Sequence, residues 1–128
     1  VFSRLKTGGQ ATLQIITVRD DRFEDYRKSV DFIQKYIFPG GMLPSPAVLR
    51  REAQKAGLDC VKSIEFGESY SKTLRLWHAR FNDKWDQVEA MGFDERFRRM
   101  WNFYLTSCAA TFHYANCDVT QITLSKPE

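Results

Sequence analysis

The sequence predicts a single α/β domain over residues 1–128, on three observations. Three short runs rich in β-branched residues, 11–18, 58–66 and 119–124, read as strands. Between and around them lie longer stretches whose apolar residues recur every three or four positions, the period of amphipathic helices. The composition, 43% hydrophobic and 14% aromatic over 128 residues, supports one core without disulfide staples.

Taken in order, residues 1–6 read as the end of a helix closed by Thr7-Gly8-Gly9, where glycine suits a left-handed cap. The run 11–18 has apolar positions on both faces and reads as a central strand covered on both sides. Gln14 interrupts it. A buried glutamine without partners costs about 1–3 kcal/mol, so Gln14 is either a structural link or a ligand contact. From 20 to 37, Phe23, Tyr26, Val30, Ile33 and Ile37 mark one amphipathic helix, stopped by Phe38-Pro39-Gly40-Gly41. Ser45 before Pro46 is an N-cap with a first-turn proline, and the helix it starts runs to Ala56. The run 58–66, with Lys62 and Glu65, suits a strand near a sheet edge. Two long helices follow. The stripe of the first, over 68–91, is Tyr70, Leu74, Trp77, Phe81, Trp85 and Val88. In the second, over 94–115, it is Phe97, Met100, Trp101, Tyr104, Leu105, Cys108 and Phe112. Both stripes read as core packing. Gly92 and Asp94 separate the helices as break and cap. Residues 119–124 form the last strand.

Charge does not choose a partner. Nineteen Lys and Arg stand against sixteen Asp and Glu, a net +3, and the two signs are well mixed. Cys60, Cys108 and Cys117 form no Cys-x-x-Cys pair, which argues against a disulfide scaffold or zinc ribbon and for a reducing compartment. His78 and His113 fall on different helices with no metal-binding pattern around them. No apolar run approaches the ~20 residues of a membrane span, and no signal-peptide pattern opens the sequence. Gly8-Gly9 precedes a strand, whereas a phosphate-binding glycine loop follows one.

The segment Tyr36-Ile37-Phe38-Pro39-Gly40-Gly41-Met42-Leu43-Pro44-Ser45 resembles a signature of the cyclopropane-fatty-acyl-phospholipid synthases, which are S-adenosylmethionine-dependent methyltransferases. Leu5-Lys6-Thr7-Gly8-Gly9, Ser69-Tyr70-Ser71-Lys72-Thr73-Leu74 with Trp77, and Phe97-Arg98-Arg99-Met100-Trp101 with Tyr104-Leu105 and Cys108-Ala109 resemble further family motifs in the same order. The likeness extends over nearly the whole chain. It resembles the C-terminal third of these enzymes, whose fold is a Rossmann-like class I methyltransferase with an antiparallel final strand. The runs 11–18, 58–66 and 119–124 then correspond to the fifth, sixth and seventh strands, with the seventh between the other two.

The resemblance implies methyl transfer to the cis double bond of a phospholipid acyl chain, closing a cyclopropane. The alternatives are a fatty-acyl or other small-molecule C-methyltransferase of the same fold, and a non-catalytic lipid-binding or oligomerisation module. The cofactor site would lie upstream, with no cofactor-binding residue and no metal ligand in this chain, which alone would be inactive. In the family a bicarbonate serves as base, held by an upstream cysteine and glutamate, a histidine, an isoleucine backbone and a tyrosine. The tyrosine falls on Tyr70 and the isoleucine on Ile16. The histidine position falls on Gln14, which can donate a hydrogen bond but cannot carry a proton. That departure leaves open the identity of the base and the product: ring closure, a methylene branch or a methyl branch. Phe38, Gly40 and Leu43 are either a helix stop or the lip of the acyl-chain pocket. The expected partners are phospholipid acyl chains at the inner membrane surface, reached from the cytoplasm, and not nucleic acid. The outer edge of 11–18 would lack its fourth-strand neighbour and is expected to join two copies as a homodimer.

Overall fold

The computed structural model describes residues 1–128. Its centre is a three-stranded antiparallel sheet in which β3 (Cys117–Ser125) lies between β1 (Gln10–Val18) and β2 (Asp59–Glu65). This is the order and the antiparallel last strand that the resemblance implies. Each strand differs from its expected limits by a residue or two, the ordinary uncertainty of strand ends. In the β1–β3 register Gln14 faces Gln121, Leu13 faces Ile122 and Ile16 faces Val119. β2 carries a bulge between Cys60 and Lys62.

Strand alternation sorts side chains to two faces. On one face Ile122 and Leu124 meet Leu58 and Ala53, with Leu5, Leu13 and Leu49 at the margin. Ala53 and Leu49 come from α2 (Pro46–Lys55), whose N-cap is Ser45 and whose first helical residue is Pro46, both as the sequence implies. The Asp20 carboxylate accepts the Ala47 N–H at 2.9 Å, and its hydrogen bonds with Ser45 and Ala47 hold its pKa below the usual carboxylate range. On the other face Val119, fully buried, packs beneath Leu74 of α3 (Gly67–Asp83) and Leu105, Ala109 and Phe112 of α5 (Glu95–His113). The Asp94 carboxylate caps α5 by accepting the Phe97 N–H at 2.8 Å.

Four expectations need correction. Residues 20–37 are not one helix: α1 covers only Phe23–Lys28, and Ile33–Ile37 is a separate π-helical turn. The cause is a local cap. Asp31 accepts the Gln34 N–H at 2.8 Å while the Gln34 side chain accepts the Asp31 N–H at 3.0 Å, a reciprocal box that starts a new helix. The helix over 68–91 breaks at Lys84, and a short α4 (Trp85–Ala90) follows. That bend lets Trp85 bury beside Phe81, with the Arg98 guanidinium 5.0 Å from the Trp85 ring. Residues 1–6 hold one 3₁₀ turn, Phe2–Arg4. Lastly, β1 is a sheet edge rather than a strand covered on both sides, and Thr12, Gln14 and Ile16 are open on the α3 side.

The first aromatic stripe also needs adjusting, because Trp77 is 51% exposed. The seam between α3 and α5 is centred instead on Ser71 and Leu74, turned away from Trp77. Buried Ser71 donates its hydroxyl to the Ala109 carbonyl at 2.8 Å, and two small residues let the helices approach closely there. Farther along, Asn82 donates to Asn102 at 2.6 Å and closes the seam with a carboxamide pair.

Candidate functional site

The open strip of β1 meets the first turns of α3. Phe66 caps α3, and Asp118 of β3 accepts the Gly67 N–H at 2.7 Å, which fixes where the helix leaves the sheet. Tyr70 comes three residues later and swings back over β1. Its ring rests between Phe66 and Phe112, with centroids 5.9 and 5.5 Å away. Its hydroxyl accepts the Gln14 Nε2–H at 2.7 Å. Gln14 in turn accepts Gln121 Nε2–H on Oε1 at 2.9 Å. Residues 56 positions apart in the chain are thereby joined in one row: Gln121, Gln14, Tyr70.

The alternatives left by the sequence for Gln14 are answered in part. It is a structural link, joining Gln121 of β3 to Tyr70 of α3, but it lies on an open face rather than buried, and its side chain is satisfied at both ends. A phenol that only accepts here still has its own proton to give. Ile16 lies two residues along on the same face and is 37% exposed. Its backbone orientation follows from the ladder. Val18 donates to Pro44, and Lys126 donates to Gly9, so the odd-numbered residues of β1 face β3 and the even-numbered ones face away. The N–H and C=O of Gln14 and Ile16 therefore point along the free edge of the sheet.

Phe38, Gly40 and Leu43 lie elsewhere. Phe38 is 59% exposed and its ring sits 6.4 Å from Tyr104. Tyr70 rests on Phe112, eight positions farther along α5, or about 12 Å at the helical rise. Gly40 has φ +78, with open space where a Cβ would stand, so its backbone and not a contact calls for glycine. Leu43 is half-buried, and its N–H donates to the Tyr26 hydroxyl at 3.2 Å. No hydrogen bond or ring contact joins these three residues to the Gln14–Tyr70 pair. Sequence reasoning missed Gln121. The signal was the alternation of β3 together with the need of Gln14 for a partner.

The glycines of the amino-terminal turn do not make a nucleotide cradle. Gly8 is left-handed at φ +73, and a Cβ on Gly9 would lie 2.8 Å from the Lys6 carbonyl oxygen, so both serve the turn itself. They also stand at the start of β1, the end away from Val18. These two glycines offer no cradle for S-adenosylmethionine.

The family model described as mycolic acid cyclopropane synthetase matches residues 1–122. The chain belongs to this family. Among curated relatives of the family, the chain is 41% identical over 121 residues to "Tuberculostearic acid methyltransferase UfaA1" of Mycobacterium tuberculosis, covering 94% of the chain and 28% of that protein. It is 37% identical over 97 residues to the cyclopropane-fatty-acyl-phospholipid synthase of Escherichia coli K12, covering 74% of the chain and 24% of the relative. The chain thus spans about a quarter of the length of these relatives. Among solved structures, the cyclopropane synthase MmaA2 of M. tuberculosis matches with a TM-score of 0.83 at 26% identity, over 95% of this chain and 46% of that one. The mycolic acid cyclopropane synthase CmaA1, solved with SAH and CTAB, matches with a TM-score of 0.82 at 30% identity, over 92% and 44%. The fold is accordingly part of a class I methyltransferase.

Proposed function

We propose that this chain supplies one wall of the reaction site in an enzyme that methylates the cis double bond of a phospholipid acyl chain. The observation that carries this reading is the 2.7 Å bond from Gln14 to Tyr70 on the open face of β1. S-adenosylmethionine would supply the activated methyl group, and no step on it is assigned to this chain. The residues here have a narrower task. An alkene is a weak nucleophile, and the cation left after methylation must lose a proton for a cyclopropane ring to close. Tyr70 has a hydroxyl proton to offer to an oxyanion, and bicarbonate fits that chemistry as the base. Gln14 holds the phenol in place. The outward-facing backbone of Ile16 offers further polar contacts along the same edge. Phe38, Gly40 and Leu43, at the other level of α5, suit the lip of an acyl-chain pocket rather than the reacting centre.

A second product is favoured by one residue and one comparison. Gln14 cannot relay a proton as an imidazole does, and the 41% relative is named for tuberculostearic acid methylation. A methylene branch in place of a ring, formed when the cation moves by a hydride shift to the methylated carbon and then loses a proton from the new methyl group, is the outcome this would give.

Mass spectrometry of lipids from cells making the polypeptide that carries this chain tests the reading. Acyl chains heavier by one CH₂ should accumulate. Tyr70→Phe should lower them about tenfold, the worth of one hydrogen bond of ~1.4 kcal/mol in the transition state, with folding nearly unchanged. Gln14→Leu should reduce them further than Gln14→His. Native product levels in both Tyr70→Phe and Gln14→Leu would refute the assignment.

A further inference from the structure

We propose that Gln121 is a positioning residue: it holds the Gln14 carboxamide in the direction that leaves the Tyr70 hydroxyl proton free for a ligand oxygen. The inference rests on the reading of Tyr70 given above.

A carboxamide has one donor end and one acceptor end, whereas a hydroxyl is both. The row Gln121–Gln14–Tyr70 therefore has two self-consistent directions. In one, each amide N–H points toward Tyr70, the phenol oxygen only accepts, and its proton is unspent. In the other, Tyr70 gives its proton to Gln14 Oε1 and presents only lone pairs. These directions have opposite consequences for an anion, which needs a donor. The structure holds the first: Gln121 Nε2 gives to Gln14 Oε1 at 2.9 Å, and Gln14 Nε2 gives to Tyr70 at 2.7 Å.

The sheet register is what makes Gln121 the anchor. It stands directly opposite Gln14 on β3, on the same face. Its neighbour on the other side is Ile64 of β2, an apolar side chain with nothing to offer the amide. The next polar rung, Thr12 with Thr123, is closed on itself at 3.0 Å and does not compete. Gln121 Nε2 is the single donor to Gln14 Oε1, so the row runs in the direction in which Gln121 presents its amide. A ligand oxygen taking the Tyr70 proton strengthens the same direction, because hydrogen bonds in a chain polarise one another.

The direction can be read by NMR without substrate. In the protein, the Gln14 side-chain amide protons should show strong nuclear Overhauser contacts to the Tyr70 ring protons. Gln121→Glu supplies only an acceptor at pH 7.5. It should turn the Gln14 amide around, weaken those contacts at least fivefold, and restore them near pH 4 as the new carboxyl gains a proton. Gln121→Met keeps the length but has no donor, so the contacts should fall to about half. This variant decides the matter if Gln121→Glu does not fold. Native contact intensity in the folded variants, or no such contacts in the unsubstituted protein, would overturn the proposal. Failure of the lipid assay would overturn the functional reading alone, since the NMR measurement does not depend on methyl transfer.

Discussion

Removing the Asp118 carboxylate should loosen the helix that carries Tyr70. One carboxylate oxygen accepts from both the Gly67 and the Val119 N–H, each at 2.7 Å. Gly67 is the first residue of α3, so the negative charge also meets the positive end of the helix. A hydrogen bond to a charged group contributes about 1.5–3 kcal/mol, and a charge at a helix end about 0.3–1 kcal/mol. Asp118 is only half-buried, and water can replace part of what is lost, so roughly half of the summed value is expected. Asp118→Ala should thus destabilise the fold by about 2–3 kcal/mol, a fall of roughly 6–15 °C in Tm for a domain of this size. Asp118→Asn keeps a neutral acceptor and should cost about 1 kcal/mol. Gly67→Ala is a second probe of the same joint, because a Cβ there would lie 2.9 Å from the carboxylate oxygen and 3.1 Å from the Asp118 Cα. Urea unfolding followed by circular dichroism gives the free energies. An Asp118→Ala midpoint within ~0.5 kcal/mol of the native one, or equal losses for Ala and Asn, would show that this joint does not hold α3.

Three further outcomes are expected. Burial pushes the Cys108 and Cys117 thiols up to about 11, while Cys60 is exposed, so iodoacetamide at pH 8.5 should label Cys60 alone. Since those two thiols hold their protons more tightly when folded, their contribution to stability should be full below about pH 8.5 and be lost as pH rises toward 11; labelling of all three at equal rates would contradict the burial on which both expectations rest. With the glycines spent on the turn before β1, calorimetry of this chain should show no saturable S-adenosylmethionine binding at micromolar concentration; a clean one-site isotherm would place a cofactor site here. The outward N–H and C=O groups of Thr12, Gln14 and Ile16 leave a free strand edge, a template for pairing with a second copy. Light scattering should then report a homodimer, and a monodisperse monomer at high micromolar concentration would exclude that pairing.

Local chemistry made much of this protein legible from its residues alone. Ser45-Pro46 and Asp94 cap helices because a short polar side chain before an apolar period satisfies free N–H groups wherever it occurs. The β-branched runs became strands for equally local reasons, and the family motifs placed them in the order β1-β3-β2. The box of Asp31 and Gln34 was also written in the sequence, but the three-and-four spacing of 20–37 masked it. Periodicity says which residues share a face, not whether the backbone stays unbroken between them. Other features arise only when distant segments meet. Trp77 has the spacing of a core residue, yet it faces out because Ser71 and Ala109 are small enough to draw the α3–α5 seam to their side. Gln14 reads as a misfit within its own strand. It becomes half of a pair because the register of β3 sets Gln121 opposite it and the Asp118 joint starts α3 where Tyr70 can reach it. A hydrogen bond between residues 56 apart is decided by packing, since no property of either residue alone selects its partner.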